Sequence, residues 1–457
     1  MGKLEYNSSF PSHWFCQRNK NTMRKEQFGQ RLKLLREETG ITQREVAEYV
    51  NLTFSAVSKW EAGESFPKAD TLIALARCFH IKPESFFSDE PPVPAPDETQ
   101  EYGEYNGFKW VIDTTTYPSD RGIWLSRMRE YSGLFIDAIK GNLPHKDESK
   151  SAIRLRAALE ARFIRLLSIP RAYDREVELA SRYGLAEGQV FVADIDMPVI
   201  SPVVALIGAE IVGWLAALPL PKGKKDIFPY DDTTHIGIAH GSTLQRFVSH
   251  IRPSGYVYSD KEFIALTAVK HQTQTPVEQT ANVLTGTLGN KFPAGKAWHM
   301  PYLPSDRRAS ALQYSSLSFP SETDEHTIAE IIFKLKRKRF NVYLSGSSFS
   351  FNNPLGAVHN APVYSHYYDK IKRLHLEDRF CGEISGSALD ENGNLLCDND
   401  YVCAITPDVY KEMVKAGSYV WLIGAGIERA SSFATAMKSK IANGIVVTRD
   451  LAEALNK

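Results

Sequence analysis

Between residues 24 and 88 apolar side chains recur every three or four positions, the spacing of helices that each bury one face. Phe28, Leu32 and Leu35 define a first helix, bordered by Arg31, Lys33 and Arg36 and stopped by Gly40. Thr42-Gln43-Arg44-Glu45 has the Ser/Thr-x-x-Glu form of a capping box, and it announces a second helix that turns Val46, Ala47 and Val50 inward. After a short turn at Asn51-Leu52, Thr53 is placed to cap a third helix. That helix sends Ala56, Val57 and Trp60 to the core, leaves Phe54, Ser55, Ser58 and Lys59 outside, and ends at Gly63. A fourth amphipathic helix, with Leu72, Ile73, Leu75, Ala76 and Phe79, follows Pro67 and Asp70. Ile81, Phe86 and Phe87 supply a fifth short element.

The helical period is interrupted over residues 89–107, where closely spaced prolines and acidic residues hold the backbone extended and solvated, so this stretch reads as a linker. Residues 1–23 lack such a period and read as a flexible extension. The segment 108–172 reads as a helical connection, with helices over 123–139 and 152–167. Its arginines Arg154, Arg156, Arg162 and Arg165 read as a solvated or oligomer-forming face in preference to a second DNA contact. From residue 173 to 457 helices alternate with short apolar strands: Val190-Phe-Val, His235-Ile-Gly-Ile-Ala, Phe263-Ile-Ala-Leu, Val342-Tyr-Leu, Tyr401-Val-Cys-Ala-Ile, Tyr419-Val-Trp-Leu-Ile-Gly and Gly444-Ile-Val-Val-Thr. That alternation predicts a Rossmann-like α/β domain with a mostly parallel sheet and ligand sites at the carboxyl ends of its strands.

Composition narrows the function. The 457 residues carry 54 Lys+Arg and 54 Asp+Glu, so the chain has no global basic field, and any contact with nucleic acid has to be local. Even residues 24–88 are close to neutral, with ten basic against nine acidic side chains. One copy would therefore bind DNA weakly, and a homodimer or tetramer is needed to combine contacts on a two-fold site. The five cysteines, Cys16, Cys78, Cys381, Cys397 and Cys403, form no CxxC pair and read as reduced thiols of a cytoplasmic protein. Residues 1–20 have no apolar signal core, and no stretch approaches the about 18 apolar residues of a membrane span. Neither a Walker A loop nor a His-Glu-x-x-His helix is present, and Gly424-Ala-Gly426 is an incomplete dinucleotide fingerprint. No enzyme activity, cofactor or metal is expected.

Two short helices joined by a tight turn and flanked by others form a helix-turn-helix. Leu34-Leu35-Arg36, Gly40, Thr42-Gln43, Val46-Ala47, Val57-Ser58-Lys59-Trp60-Glu61, Gly63, Pro67 and Leu72 closely resemble the lambda-repressor-like, Cro or XRE-type, family across residues 24–88. The resemblance implies a double-stranded DNA operator as partner, with Gln43 on a phosphate and Thr53, Phe54, Ser55, Ser58 and Lys59 at or near base edges. Hydroxyls and amides at helix starts suit phosphate oxygens, and a lysine offers a point charge in the groove.

A second resemblance covers residues 173–457. Glu178-Leu-Ala-Ser-Arg-Tyr-Gly-Leu, Ile236-Gly-Ile-Ala-His-Gly-Ser-Thr-Leu, Cys381-Gly-Glu-Ile-Ser-Gly-Ser-Ala-Leu-Asp-Glu-Asn-Gly, Leu422-Ile-Gly-Ala-Gly-Ile-Glu-Arg-Ala and the closing Ile441-Ala-Asn-Gly-Ile-Val-Val-Thr stand in the order of the SorC-type sugar-binding domain. That resemblance implies a bacterial transcription regulator with a phosphorylated sugar as effector. Gly241, Ser242 and Thr243 would cradle the phosphate at a helix start, Glu383 would accept sugar hydroxyls, and Arg429 would meet a phosphate where the family commonly has Lys. The chain departs from the pattern at His240-Gly241, where the family often has Trp-Gly, near Lys270, and in the Ser345-Gly-Ser-Ser loop. Lys270, His240 and Ser347 are further residues placed to line the pocket. Alternative readings are a C-terminal domain that only oligomerises or senses a nucleotide, or a phosphosugar isomerase-like enzyme.

Overall fold

The structure is a computed structural model. It describes residues 18–38, 41–87 except 80 and 82, 100–113, 133, 135–137, 140, 158–159, 164–197 except 187, 202–217, 235–251, 261–270, 277–292, 295–313, 316–346 and 362–457. The chain divides into two compact units.

In the first, α1 (Arg18–Glu38), α2 (Gln43–Tyr49), α3 (Phe54–Glu61) and α4 (Ala69–Cys78) precede a 3-10 turn at Pro83–Phe87. Phe28, Leu32, Leu35, Val46, Ala47, Val57, Trp60, Leu75, Ala76, Phe79, Ile81 and Phe86 are buried in one cluster, as the helical period predicts. Ile73 is instead exposed, and Leu72 is partly buried. Helix α1 starts at Arg18, within the stretch expected to be an extension, because neither Gly nor Pro interrupts 18–28. Gly40 lies outside the described residues. Two glycines have geometric duties. Gly63, at φ +72°, closes α3, and at Gly29 a Cβ would sit 2.3 Å from the Trp60 carbonyl oxygen, so only glycine lets α1 approach the end of α3 this closely.

Three strands follow, β1 (Gln100–Tyr105), β2 (Phe108–Asp113) and β3 (Ile164–Ser168), in one sheet ordered β1-β2-β3. They correct two expectations. The linker ends before residue 100, and 164–168 is strand, not helix: its residues alternate buried and exposed, a period of two. Residues 89–99 and most of the helices expected over 123–139 and 152–167 lie outside the described residues.

The rest is an α/β unit. After α5 (Tyr173–Tyr183) come β4 (Val190–Ala193), α6 (Pro202–Ala216), β5 (His235–Ile238), α7 (Ser242–His250), β6 (Glu262–Ala265), β7 (Thr267–Val269), α8 (Ala281–Lys291) and β8 (Lys296–Trp298). Then follow α9 (Ser305–Gln313), α10 (Asp324–Arg337), β9 (Phe340–Leu344), α11 (Pro362–Arg373), β10 (Gly382–Ile384), β11 (Ser387–Leu389), β12 (Val402–Ala404), α12 (Pro407–Lys415), β13 (Tyr419–Gly424), α13 (Ala430–Lys438), β14 (Gly444–Thr448) and α14 (Arg449–Leu455). Seven strands form one sheet in the order β4-β14-β13-β9-β5-β6-β8, and every pair is parallel. In β4, β6, β9 and β14 every residue is buried, so both faces of the sheet are covered, which explains why these strands read as continuous apolar runs. Helix α6 packs on β4, β13 and β14, and α12 packs on β13. The stretch expected as a sheet strand at 401–405 pairs elsewhere: β12 lies antiparallel to β7 in a two-stranded ribbon. Among the described residues no helix is long and apolar enough to cross a membrane.

Candidate functional site

In the first unit the capping box forms as predicted. Glu45 N donates to Thr42 Oγ1 at 3.3 Å, and Thr42 N donates to Glu45 Oε2 at 2.9 Å. The turn to α3 is made by Asn51 at φ +54°, a conformation that asparagine tolerates better than most residues, and Leu52 N then reaches the Ala47 carbonyl at 2.9 Å. Thr53 occupies the N-cap with an extended backbone, but its side chain makes no capping bond. Thr53, Phe54, Ser55 and Lys59 are exposed, Ser58 is half-buried, and Trp60 is in the core.

Gln43, at the start of α2, is half-buried and bonded within the domain. Its Nε2 donates to Glu61 Oε2 at 2.7 Å, and the same carboxylate receives Arg36 Nε at 2.6 Å and Arg36 Nη2 at 3.1 Å. With the amide NH2 turned to Glu61, one carboxylate links the starts or ends of three helices. The pairing spans 18 and 25 residues of sequence, which no local pattern reveals.

In the second unit the site follows from topology. The chain leaves β5 for β6 on one side and leaves β9 for β13 on the other, so the connections diverge between β5 and β9. Outside the carboxyl ends of two such strands lies the crevice where open α/β sheets bind ligands. The β5 end is Ala239-His240-Gly241, running into α7. Gly241 has φ +129°, and a Cβ there would stand 3.1 Å from Ser345 Oγ of the β9 end. Ser242, Thr243 and Leu244 open α7, and helix-opening amides have no carbonyl one turn earlier to bond. Thr243 is buried and Ser242 half-buried.

The β9 end is tied to both sides. Ser345 Oγ donates to the His240 carbonyl at 3.4 Å, and Ser385 N donates to the Ser345 carbonyl at 2.9 Å. Ser385 and Gly386 make the tight turn of the β10–β11 hairpin, both with positive φ. Glu383, 1% exposed on that hairpin, accepts the Gly386 amide with Oε1. Arg429 is partly buried at the end of β13. Its Nε donates to the Gly346 carbonyl at 3.1 Å and its Nη1 to the Ala425 carbonyl; burial pulls it below the usual arginine range, while Glu428, Asp450 and Glu383 oppose that pull. Gly424 makes room for it, since a Cβ there would meet Arg429 Cδ at 2.7 Å.

The structure thus brings Gly241, Ser242, Thr243, Glu383 and Arg429 to one end of the sheet, joined through Ser345, Gly346 and Ser385. Ser345 and Ser385 were not among the expected residues; 105 residues separate Ser345 from His240 and 40 separate it from Ser385. His240 turns its ring to Thr267, with Nδ1 3.0 Å from Oγ1, and burial pushes its pKa down to about 4, so the ring is neutral. Lys270 goes to a cavity of about 440 Å³ with His366, Asp369, Arg373, Asp400 and Tyr401, where its ammonium stands 5.7 Å from the Tyr401 ring centroid. None of the other five residues lines that cavity. Ser347 lies outside the described residues. Among the described residues no group of three or more His, Cys, Asp or Glu is placed to hold a metal ion.

A family model described as helix-turn-helix matches residues 32–86. Residues 32–86 form a helix-turn-helix domain. The chain is 30% identical over 64 residues to the HTH-type transcriptional activator BcrR of Enterococcus faecalis, a match that takes in 14% of this chain and 31% of that protein. The chain is also similar to solved structures of regulators. The probable sor operon regulator from Shigella flexneri is 14% identical with a TM-score of 0.44, and the match covers 62% of this chain and 99% of that one. The full-length sorbitol operon regulator SorC from Klebsiella pneumoniae is 15% identical with a TM-score of 0.44, covering 72% of this chain and 99% of that one.

Proposed function

We propose that this protein is a transcription regulator that binds an operator through its helix-turn-helix domain and senses a phosphorylated small molecule, a sugar phosphate, at the divergence of β5 and β9. The observation that carries the reading is the convergence of the α7 start, the Glu383 hairpin and Arg429 at the carboxyl end of a parallel sheet, in the same chain as a helix-turn-helix domain. Three helix-opening amides with the Ser242 and Thr243 hydroxyls suit phosphate oxygens, and the buried Glu383 suits sugar hydroxyls. The site binds and does not turn its ligand over. Because the helix-turn-helix domain has little net charge, the working form is a homodimer or tetramer that places two recognition helices on one duplex in the cytoplasm. An effector that binds one arrangement of the oligomer more tightly changes operator affinity by the same factor.

The test separates the two sites in the full chain. Thr243→Val removes a hydroxyl at a buried position with little change of shape; it should weaken sugar phosphate binding in calorimetry about tenfold or more, a hydrogen bond to a charged group being worth about 1.5–3 kcal/mol, and leave ligand-free DNA binding intact. Lys59→Ala, at an exposed site, should do the reverse. Loss of both activities in either variant would contradict the assignment of separate sites.

A further inference from the structure

We propose that Phe54 reads the C5 methyl group of a thymine in each half of the operator. The inference rests on the DNA-binding reading above and adds the identity of a base to it. Helix α3 has Val57 and Trp60 in the core, with 0% and 5% exposure, yet its first residue, Phe54, is 52% exposed, and Leu52 two residues earlier is 46% exposed. The domain does not lack aromatic packing, since Phe28, Phe66, Phe86 and Phe87 already contact one another. Phe54 therefore spends its apolar surface outward, at the end of the helix that a helix-turn-helix points at base edges.

Its surroundings set what it meets there. Ser55 and Lys59, four apart on one helix face, are exposed polar groups able to bond base edges or phosphate, and Thr53 adds a hydroxyl outside the cap. In the major groove the donors and acceptors of the bases suit those residues, and the one apolar feature of any base edge is the thymine methyl. At a base edge in the major groove, the apolar partner an exposed phenyl ring at the start of α3 can meet is that methyl group.

The experiment first enriches binding sequences from a random duplex pool with the full-length protein. Each conserved thymine is then replaced singly by deoxyuridine, which removes only the methyl group. Affinity should fall about fourfold at one thymine of each half-site, the cost of one exposed methyl. Phe54→Ala should bind the thymine and deoxyuridine duplexes equally, while Phe54→Leu should keep part of the discrimination. Indifference of the wild type to every deoxyuridine, or an unchanged penalty in Phe54→Ala, overturns the inference while leaving DNA binding in place. Failure to enrich any sequence overturns the DNA-binding reading instead.

Discussion

Glu61 holds the helix-turn-helix domain together from its centre, and removing its carboxylate has a cost that follows from the geometry. Its side chain is 4% exposed and that of Arg36 is 15% exposed. Glu61→Ala removes the Arg36 hydrogen bonds of 2.6 and 3.1 Å, leaving longer ones such as those to the Ile41 carbonyl at 3.3 Å and the exposed Glu37 at 3.5 Å, and it also releases the Gln43 amide. Removing one partner of a fully buried pair costs about 3–5 kcal/mol; the residual exposure of Arg36 puts this case near the lower end, about 3 kcal/mol. That corresponds to a loss of roughly two orders of magnitude in the protection of α1 and α3 amides against hydrogen exchange. Mass spectrometry of the intact chain reads those peptides directly, with peptides of the seven-stranded sheet as an internal reference. Arg36→Met combined with Glu61→Leu removes both charges and should recover most of the protection, because the loss comes from an abandoned charge more than from a missing attraction. Gln43→Ala alone should cost only about 1 kcal/mol. A change of less than threefold in Glu61→Ala, or a double variant no better protected than the single one, would refute the reasoning.

Two further outcomes concern the second unit. Gly241→Ala places a Cβ against Ser345 Oγ at a φ of +129°, so it should destabilise the α/β unit by about 1–3 kcal/mol, read as a lower thermal midpoint, and abolish any response to sugar phosphate. His240 is neutral when folded with a pKa of about 4, against about 6.5 unfolded, so the unfolded chain takes up the extra proton and stability falls as pH drops from about 6.5 to 4. The loss reaches roughly 3 kcal/mol, and His240→Gln should flatten that part of the urea-midpoint profile; an equally steep profile would place the proton elsewhere.

Much of the fold is legible because local chemistry and burial agree. The capping box at Thr42 and Glu45, the strand starts at 190, 235, 419 and 444 and the Gly241 corner all follow from residues close in sequence. The β1–β2 hairpin is equally local, yet β1 and its turn fall in the stretch that reads as linker and β2 in the segment that reads as a helical connection. Asn106 and Gly107, both at positive φ, form the two-residue turn that an Asn-Gly pair favours, but the prolines and acids just before it and the Gly103 in its first strand masked the alternation. Gly103 has its own reason: a Cβ there would stand 2.2 Å from the Trp110 ring. Strand β12 is as apolar as a sheet strand, and only the partner it finds, β7, sets it apart. In the site, Thr243 and Arg429 are marked by the loops that carry them, whereas Ser345, Ser385 and the Glu61 bond to Gln43 depend on approach across 18 to 105 residues.

The central claim is that a phosphorylated ligand controls DNA binding. Fluorescence anisotropy of the full-length protein on duplex DNA from upstream of its own gene, at one salt concentration, with and without a panel of sugar phosphates and nucleotides, tests it most directly. The account predicts sequence-specific binding whose affinity shifts at least fivefold with one sugar phosphate and loses that shift in Thr243→Val, a coupling of about 1 kcal/mol or more. Specific binding that no sugar phosphate moves, or a shift that survives in Thr243→Val, would contradict it.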